Sequence, residues 1–180
     1  MIYSAKELFK NGETQYSIRN KISKGDLFCL EHGLYSSDPE PFIDEEYICK
    51  KYPQTILTGL SAFYIYGLTD IIPNKFHLVS EQHSFPIRRN DVVQSYQDSS
   101  FFSVGKKKMR YGNSYIAIYD LERMLIELIR LREKYPPELY YEVINSFRKI
   151  KDKLDFYKIN KYLEKFKNGE SLQKKIKEAI

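Results

Sequence analysis

An α+β fold in two parts is predicted by three features of the 180-residue chain. Two short capped helices and a tight hairpin are crowded into its start, strand-like segments fill its middle, and helical periodicity runs from Asp120 to its end. The first part, residues 1–38, reads as a small winged helix-turn-helix. The second, residues 41–180, reads as an α/β domain ending in a helical bundle.

Each element has its own justification. In "YSAKELFKNG" Ser4 is a capping residue, Glu7 completes a capping box three positions on, Leu8 and Phe9 supply an apolar side, and Asn11-Gly12 stops the helix. "TQYSIRNKISKG" opens a second helix with Thr14 as cap and Ser17 at the box position. Ile18 and Ile22, four apart, form a narrow buried stripe, and Gly25 ends it. "DLFCL" and "GLYSS" read as strands around Glu31-His32-Gly33, a tight hairpin. Helix, turn, helix and hairpin is the order in which a winged helix-turn-helix presents its second helix to a major groove.

"SDPEPF", with two prolines and two acids, marks the expected boundary. Beyond it "DEEYICKKY" is a helix, "QTILT" a strand and "GLSAFYIYG" a helix. "KFHLVS", "DVVQSYQ", "KKMRYG" and "SYIAIYD" carry the β-branched and aromatic residues of strands, the last two around Gly112-Asn113. "DLERMLIELIRLREK" places Leu121, Leu125, Leu128 and Ile129 on one helical face, Pro136-Pro137 breaks it, and helices follow at about 138–150, 155–167 and 171–179.

Composition narrows the function classes. At 42% apolar residues the chain buries a real core, and neither a run of about 18 apolar residues nor a signal-peptide h-region is present, so a cytoplasmic protein without a membrane partner is expected. Cys29 and Cys49 are too few for a disulfide framework. Residues 1 to 40 hold five Lys/Arg against six Asp/Glu, residues 41 to 104 five against seven, and residues 105 to 180 nineteen against eleven. The positive charge therefore lies at the end, where Lys alternates with apolar residues at helical spacing, as on a solvated bundle face or a surface that steers an acidic partner.

The chemistry of an enzyme leaves a constellation of nucleophile, base, ligands or phosphate loop, and none is evident. "VGKKKMRYG" lacks the spacing of a phosphate loop, and Cys29-x-x-His32 supplies two of the four ligands of a zinc site. Asp44, Glu45 and Glu46 open a helix, where its dipole explains them, as capping explains Asp120 and Glu122. No cofactor, metal or catalytic residue is expected.

Three segments carry a resemblance. "KGDLFCLEHGLYSS" is similar to a Gly-x-Leu then Arg-Gly-Val/Leu-Tyr wing. "EEYICKKYPQTILTGLSAFYIYGLTDIIP" is similar to a block with Tyr-Pro, Ser-Ala and Gly-Leu-Thr-Asp, and "YIAIYDLERMLIELIRLR" to a Tyr-Asp-x-Glu-Arg-Thr helix start. In this order they resemble the AbiEi-type antitoxins of bacterial type IV, abortive-infection toxin–antitoxin systems, over nearly the whole chain. His32 stands where that family usually has Arg, Met124 where it has Thr, and the chain starts at the segment matching the family's second helix, so a shortened wing domain is expected.

The resemblance implies an antitoxin that represses its own operon and counters a cognate nucleotidyltransferase-like toxin. Its expected partners are its promoter DNA and that toxin. Gln15, Tyr16, Ser17, Arg19, Asn20 and Lys21 are the expected DNA readers, with Lys24 and His32 on phosphate. Lys151, Lys153, Lys158, Lys161 and Lys165 are the expected partner-binding residues. The alternative is a protein-interaction module whose wing domain no longer binds DNA.

Overall fold

The computed structural model describes residues 1–41, 44–112 and 114–180. It is mixed α+β and divides into two units, Met1–Pro53 with Met109–Ile116, and Gln54–Lys108 with Ala117–Ile180.

In the first unit the capping signals act as the sequence implies. Helix α1 (Ala5–Lys10) starts at Ser4, whose Oγ accepts the Glu7 N–H at 3.3 Å while Glu7 Oε2 accepts the Ser4 N–H at 2.7 Å. Helix α2 (Gln15–Lys24) starts on the same reciprocal pattern with a serine in place of the acid: Thr14 Oγ1 accepts the Ser17 N–H at 3.1 Å and Ser17 Oγ accepts the Thr14 N–H at 2.8 Å. Gly25, at φ +76°, closes it in the left-handed region that glycine enters without steric cost.

The hairpin is the core of a larger sheet. Strand β1 (Ile2–Ser4) pairs antiparallel with β3 (Leu34–Ser36), which pairs antiparallel with β2 (Phe28–Glu31), in the order β1-β3-β2. Strand β1 was not expected. Three residues ahead of a capping box give no period, and their pairing comes from β3. Leu8, Ile18 and Leu27 form the core with Tyr3, Ile22 and Tyr35 packed on it.

A third helix, α3 (Glu45–Lys51), belongs to this unit, which therefore extends past the boundary expected at residues 38–41. Lys50 Nζ donates to the Ile2 carbonyl and pairs with Glu7 at 3.3 Å. Tyr47 donates to Glu31 Oε1 at 2.5 Å, and Lys51 pairs with the other oxygen of the same carboxylate. Phe42 of "SDPEPF" lies outside the described residues. Tyr111 adds a hydrogen bond to Glu45 Oε2 at 2.8 Å.

The second unit is built on a five-stranded sheet ordered β6-β5-β4-β8-β7, formed by β4 (Ile56–Leu57), β5 (Phe76–Glu81), β6 (Val92–Gln97), β7 (Lys106–Tyr111) and β8 (Ser114–Tyr119). Met109–Ile116 of the β7–β8 segment group with the first unit, and Asn113 of the expected turn lies outside the described residues. β4 pairs antiparallel with β5 and parallel with β8, and β5 pairs parallel with β6.

Helix α4 (Gly59–Ile65) follows β4. A short helix, α5 (Ser99–Phe102), capped by Asp98, follows β6 where no helix was expected. Helices α6 (Leu121–Arg130), α7 (Pro137–Lys149), α8 (Phe156–Leu163) and α9 (Gly169–Ala179) close the chain, and α6, α8 and α9 pack on one another. Pro137 sits at the first position of α7, where a missing N–H costs nothing, so the Pro-Pro pair starts a helix rather than ending one: α6 already stops at Arg130, short of the helix expected through Lys134, and a 3-10 turn over Arg132–Lys134 follows it. Glu122 to Ile129 of α6 are all buried, which is more than one apolar face and includes three charges.

Candidate nucleic-acid interface

Helix α2 buries Ile18 and half-buries Ile22, and at 100° per residue this turns Tyr16, Asn20, Ser23 and Lys24 outward, with Gln15 and Arg19 on one flank. Gln15, Tyr16, Arg19, Asn20 and Lys24 are all exposed, Tyr16 to 80%, and their side chains make no hydrogen bond or ion pair within the described residues. An aromatic ring so exposed, beside a guanidinium, an amide and an ammonium, is the side-chain set that contacts base edges and phosphates. His32 is exposed in the β2–β3 turn, its side chain also unpaired.

The other flank of α2 is committed to its own helix. Ser17 Oγ donates to Glu13 Oε2 at 2.6 Å, and Lys21 pairs with Glu13 Oε1. These two hydrogen bonds, Lys21 first and Ser17 second, hold the Glu13 carboxyl below its ordinary range. Of the eight expected DNA-binding residues, six readers and two phosphate contacts, the readers Ser17 and Lys21 are thus partnered, and the other six residues remain open. Glu13 was missed in the sequence because an acid just before a helix reads only as dipole compensation. The first unit as a whole carries eight Lys/Arg against nine Asp/Glu, so any attraction for phosphate there comes from the local grouping on α2.

In the second unit the five expected partner lysines separate. Lys158 is a structural cation rather than a free one: its Nζ lies 2.8 Å from Asp120 Oδ2 and 3.1 Å from Glu122 Oε2, tying α8 to the head of α6. Burial opposes its charge, but the hydrogen bonds to Asp120 and Glu122 outweigh that and hold its pKa above the ordinary lysine value. Tyr162 donates to the same Asp120 oxygen at 2.8 Å, and burial followed by that hydrogen bond pushes the phenol up to about 12. Lys151 donates to the Ile180 carbonyl at 3.1 Å, and Lys161 lies over the Tyr157 ring at 4.8 Å. Lys153, Lys161 and Lys165 are exposed.

Next to this clamp Arg123 is fully buried. Its Nε donates to Glu127 Oε1 at 2.9 Å, Nη1 donates to the Phe101 carbonyl at 3.2 Å, and its guanidinium carbon lies 4.9 Å and 5.0 Å from the Tyr119 and Phe166 ring centres. Glu127 also takes Arg130 Nη2 at 2.5 Å. Gly105, at φ +77°, passes so close that a Cβ there would stand 2.5 Å from Arg123 Cβ. The Tyr-Asp-x-Glu-Arg stretch, read in the sequence as capping, is a buried ionic centre joining α6, α8 and the segment around α5. Asp120 does cap, accepting the Arg123 N–H at 2.8 Å.

A crystal structure of the Rv2827c protein from Mycobacterium tuberculosis is similar in fold, with a TM-score of 0.60 and 12% sequence identity over 99% of this chain and 71% of that one. A scan against protein-family models finds no match, and a search of curated protein sequences finds none. Among the described residues no helix is long and apolar enough to cross a membrane.

Proposed function

We propose that the chain is the antitoxin of a bacterial type IV, abortive-infection toxin–antitoxin system. The first unit acts as a winged helix-turn-helix that binds the promoter of its own operon, and the second counters a nucleotidyltransferase-like toxin without catalysis of its own. The observation that carries the DNA-binding half is the outward face of α2, with Gln15, Tyr16, Arg19, Asn20 and Lys24 exposed and unpaired beside the β2–β3 turn. Helix α3 supports it as well, by packing on β1 and pairing with Glu7 of α1 and Glu31 of β2, which adds a third helix to the unit that carries α2. The antitoxin half rests on the ordered resemblance of the wing, Gly-Leu-Thr-Asp and Tyr-Asp-x-Glu-Arg segments to the AbiEi-type family.

Two experiments test the halves separately. A gel shift with the chain's own upstream region should show retardation at moderate salt that survives competitor DNA. Co-expression with the nucleotidyltransferase-like reading frame beside its gene should restore growth. The near balance of charge in the first unit favours one other reading, a protein-interaction module with a wing that does not bind DNA. Growth rescue without any specific gel shift selects that reading.

A further inference from the structure

We propose that the outer edge of β6 is a strand-addition site for an extended segment of a partner protein, in which apolar residues alternate with acidic or hydroxyl residues. β6 is the last strand of the five-stranded sheet and runs parallel to β5, from Phe76 opposite Val92 to Glu81 opposite Gln97. The Asp91 carbonyl accepts the Phe76 N–H at 2.8 Å, and the Gln97 carbonyl accepts the Gln82 N–H at 2.7 Å. In a parallel ladder alternate residues turn both backbone groups to the same neighbour. Positions 91, 93, 95 and 97 therefore face β5, and Val92, Gln94 and Tyr96 face outward. Val92 N–H is used within its own loop by the Arg89 carbonyl at 3.4 Å, whereas the backbone N–H and C=O of Gln94 and Tyr96 have no partner among the described residues.

The two edges of this sheet are treated differently. β7 carries Lys106, Lys107, Lys108 and Arg110, all exposed, the device by which natural sheets prevent edge pairing. β6, "VVQSYQ", has no charge at all, and Val93 and Tyr96 are 40% and 46% exposed. An uncharged six-residue edge is left open where the opposite edge is protected.

A cleft of about 700 Å³ borders that edge, walled by His77, Val79 and Val93 of the sheet and by Leu131, Tyr135 and Leu139. It lies on the sheet face of the odd-numbered residues, since the Gln94 side chain is turned to the other face, where it donates to Ser80 Oγ at 2.7 Å and accepts the Ile87 N–H at 2.7 Å. A strand added to β6 places every second side chain in this cleft, and the pairing of main-chain bonds with alternate side-chain pockets is how sheet edges recognise peptides. Charge selects the class of segment. At the cleft Arg130 and Lys134 are balanced by Glu127 and Glu138, so the side chains entering it are apolar; the alternate ones point to the other face, where the second unit's excess of 21 Lys/Arg over 15 Asp/Glu favours acidic residues.

The test pans the full chain against a displayed library of extended octapeptides in which Val, Ile, Leu, Phe or Tyr alternate with Asp, Glu, Ser or Thr. Selected peptides should slow hydrogen exchange at the Gln94 and Tyr96 amides. Binding should weaken by about tenfold or more when the peptide is N-methylated at the positions facing β6. Val93→Lys and Tyr96→Pro should weaken it similarly, with circular dichroism unchanged. The N-methylated peptides give the same information should Tyr96→Pro not fold. A library without a binder that protects those two amides overturns the proposal, as does binding indifferent to N-methylation. Concentration-dependent dimerisation of the free chain that Val93→Lys abolishes also overturns it, assigning the edge to a second copy.

Discussion

Arg19 and Lys24 sit in α2 and Glu13 just ahead of its cap, Thr14, yet their surroundings assign them different effects. Arg19 and Lys24 are exposed and unpaired, while Glu13 holds both Lys21 and Ser17. If Arg19 contacts a base edge, Arg19→Ala costs about 1–3 kcal/mol on the specific site and relaxes sequence preference there. Lys24→Ala weakens all sequences alike and lowers the salt slope by about one. Gel shifts on specific and random DNA at several salt concentrations separate the two, and equal losses on both DNAs for Arg19→Ala would place it on phosphate instead. If α2 meets DNA, Glu13→Gln removes a carboxylate just ahead of that helix and frees the Lys21 ammonium. It should tighten binding to any DNA and steepen the salt slope, and weaker binding would show that Glu13 serves to orient the helix.

At the scale of elements, α6 concentrates the buried chemistry of the second unit. Arg123 and Glu127 are both buried, so removing one charge strands the other in a medium that solvates it poorly. Arg123→Met should cost about 3 kcal/mol, the low end for a broken buried pair because Arg130 still reaches Glu127. Restoring apolar balance with Glu127→Leu should recover part of that loss, measured as a double-mutant cycle in urea unfolding; strict additivity would mean that the pair does not act as a unit. Strand β5 supplies a pH effect. His77 is half-buried, and burial pushes its pKa below the ordinary 6.5. Above 6.5 both folded and unfolded states are neutral there and stability is fully present. As pH falls below 6.5 the unfolded chain takes up a proton first, so stability declines until the folded pKa is passed. Thermal unfolding from about pH 7.5 to about pH 5 should show a smaller decline in His77→Gln than in the unaltered chain, and parallel curves would refute the assignment.

These elements also show what the sequence could and could not reveal. The caps of α1 and α2, the Gly25 stop and the hairpin were legible because each is a short-range hydrogen-bond pattern with its own residue signature. β1 and α5 were not, since three or four residues carry no period and owe their form to neighbours far along the chain. The placement of α3 was hidden for the same reason: nothing within "DEEYICKKY" tells that its Lys50 and Lys51 reach Ile2, Glu7 and Glu31. At the candidate DNA site the outward positions of α2 followed from helical period alone, while the loss of Ser17 and Lys21 to Glu13 depended on rotamers that no spacing specifies.

Across the whole molecule, charge is divided as unevenly as structure. The first unit holds eight Lys/Arg against nine Asp/Glu and the second 21 against 15, so long-range attraction to an acidic protein or RNA arises from the second unit. Lys158 cannot be counted in that field as a free charge, being held by Asp120 and Glu122, and Lys151 is tied to the chain's last residue. The division at Pro53 also bears on how the idea is tested. A piece starting at residue 41 would take α3 away from Ile2, Glu7 and Glu31, so the full chain with point changes is the sound vehicle. Lys153, Lys161 and Lys165, all exposed, are the residues to reverse together. If the field guides the second unit to its partner, Lys153→Glu with Lys161→Glu and Lys165→Glu should abolish growth rescue in the presence of the cognate toxin, with circular dichroism and thermal midpoint unchanged. The screening length of about 8 Å at physiological ionic strength makes a purified complex correspondingly salt-sensitive. Lys158→Glu serves as the contrast, because it sets a third carboxylate against Asp120 and Glu122 and should lower the thermal midpoint itself. Full rescue by the triple reversal would show that these lysines only keep the helical bundle in solution, and the partner surface would then have to lie elsewhere on the second unit.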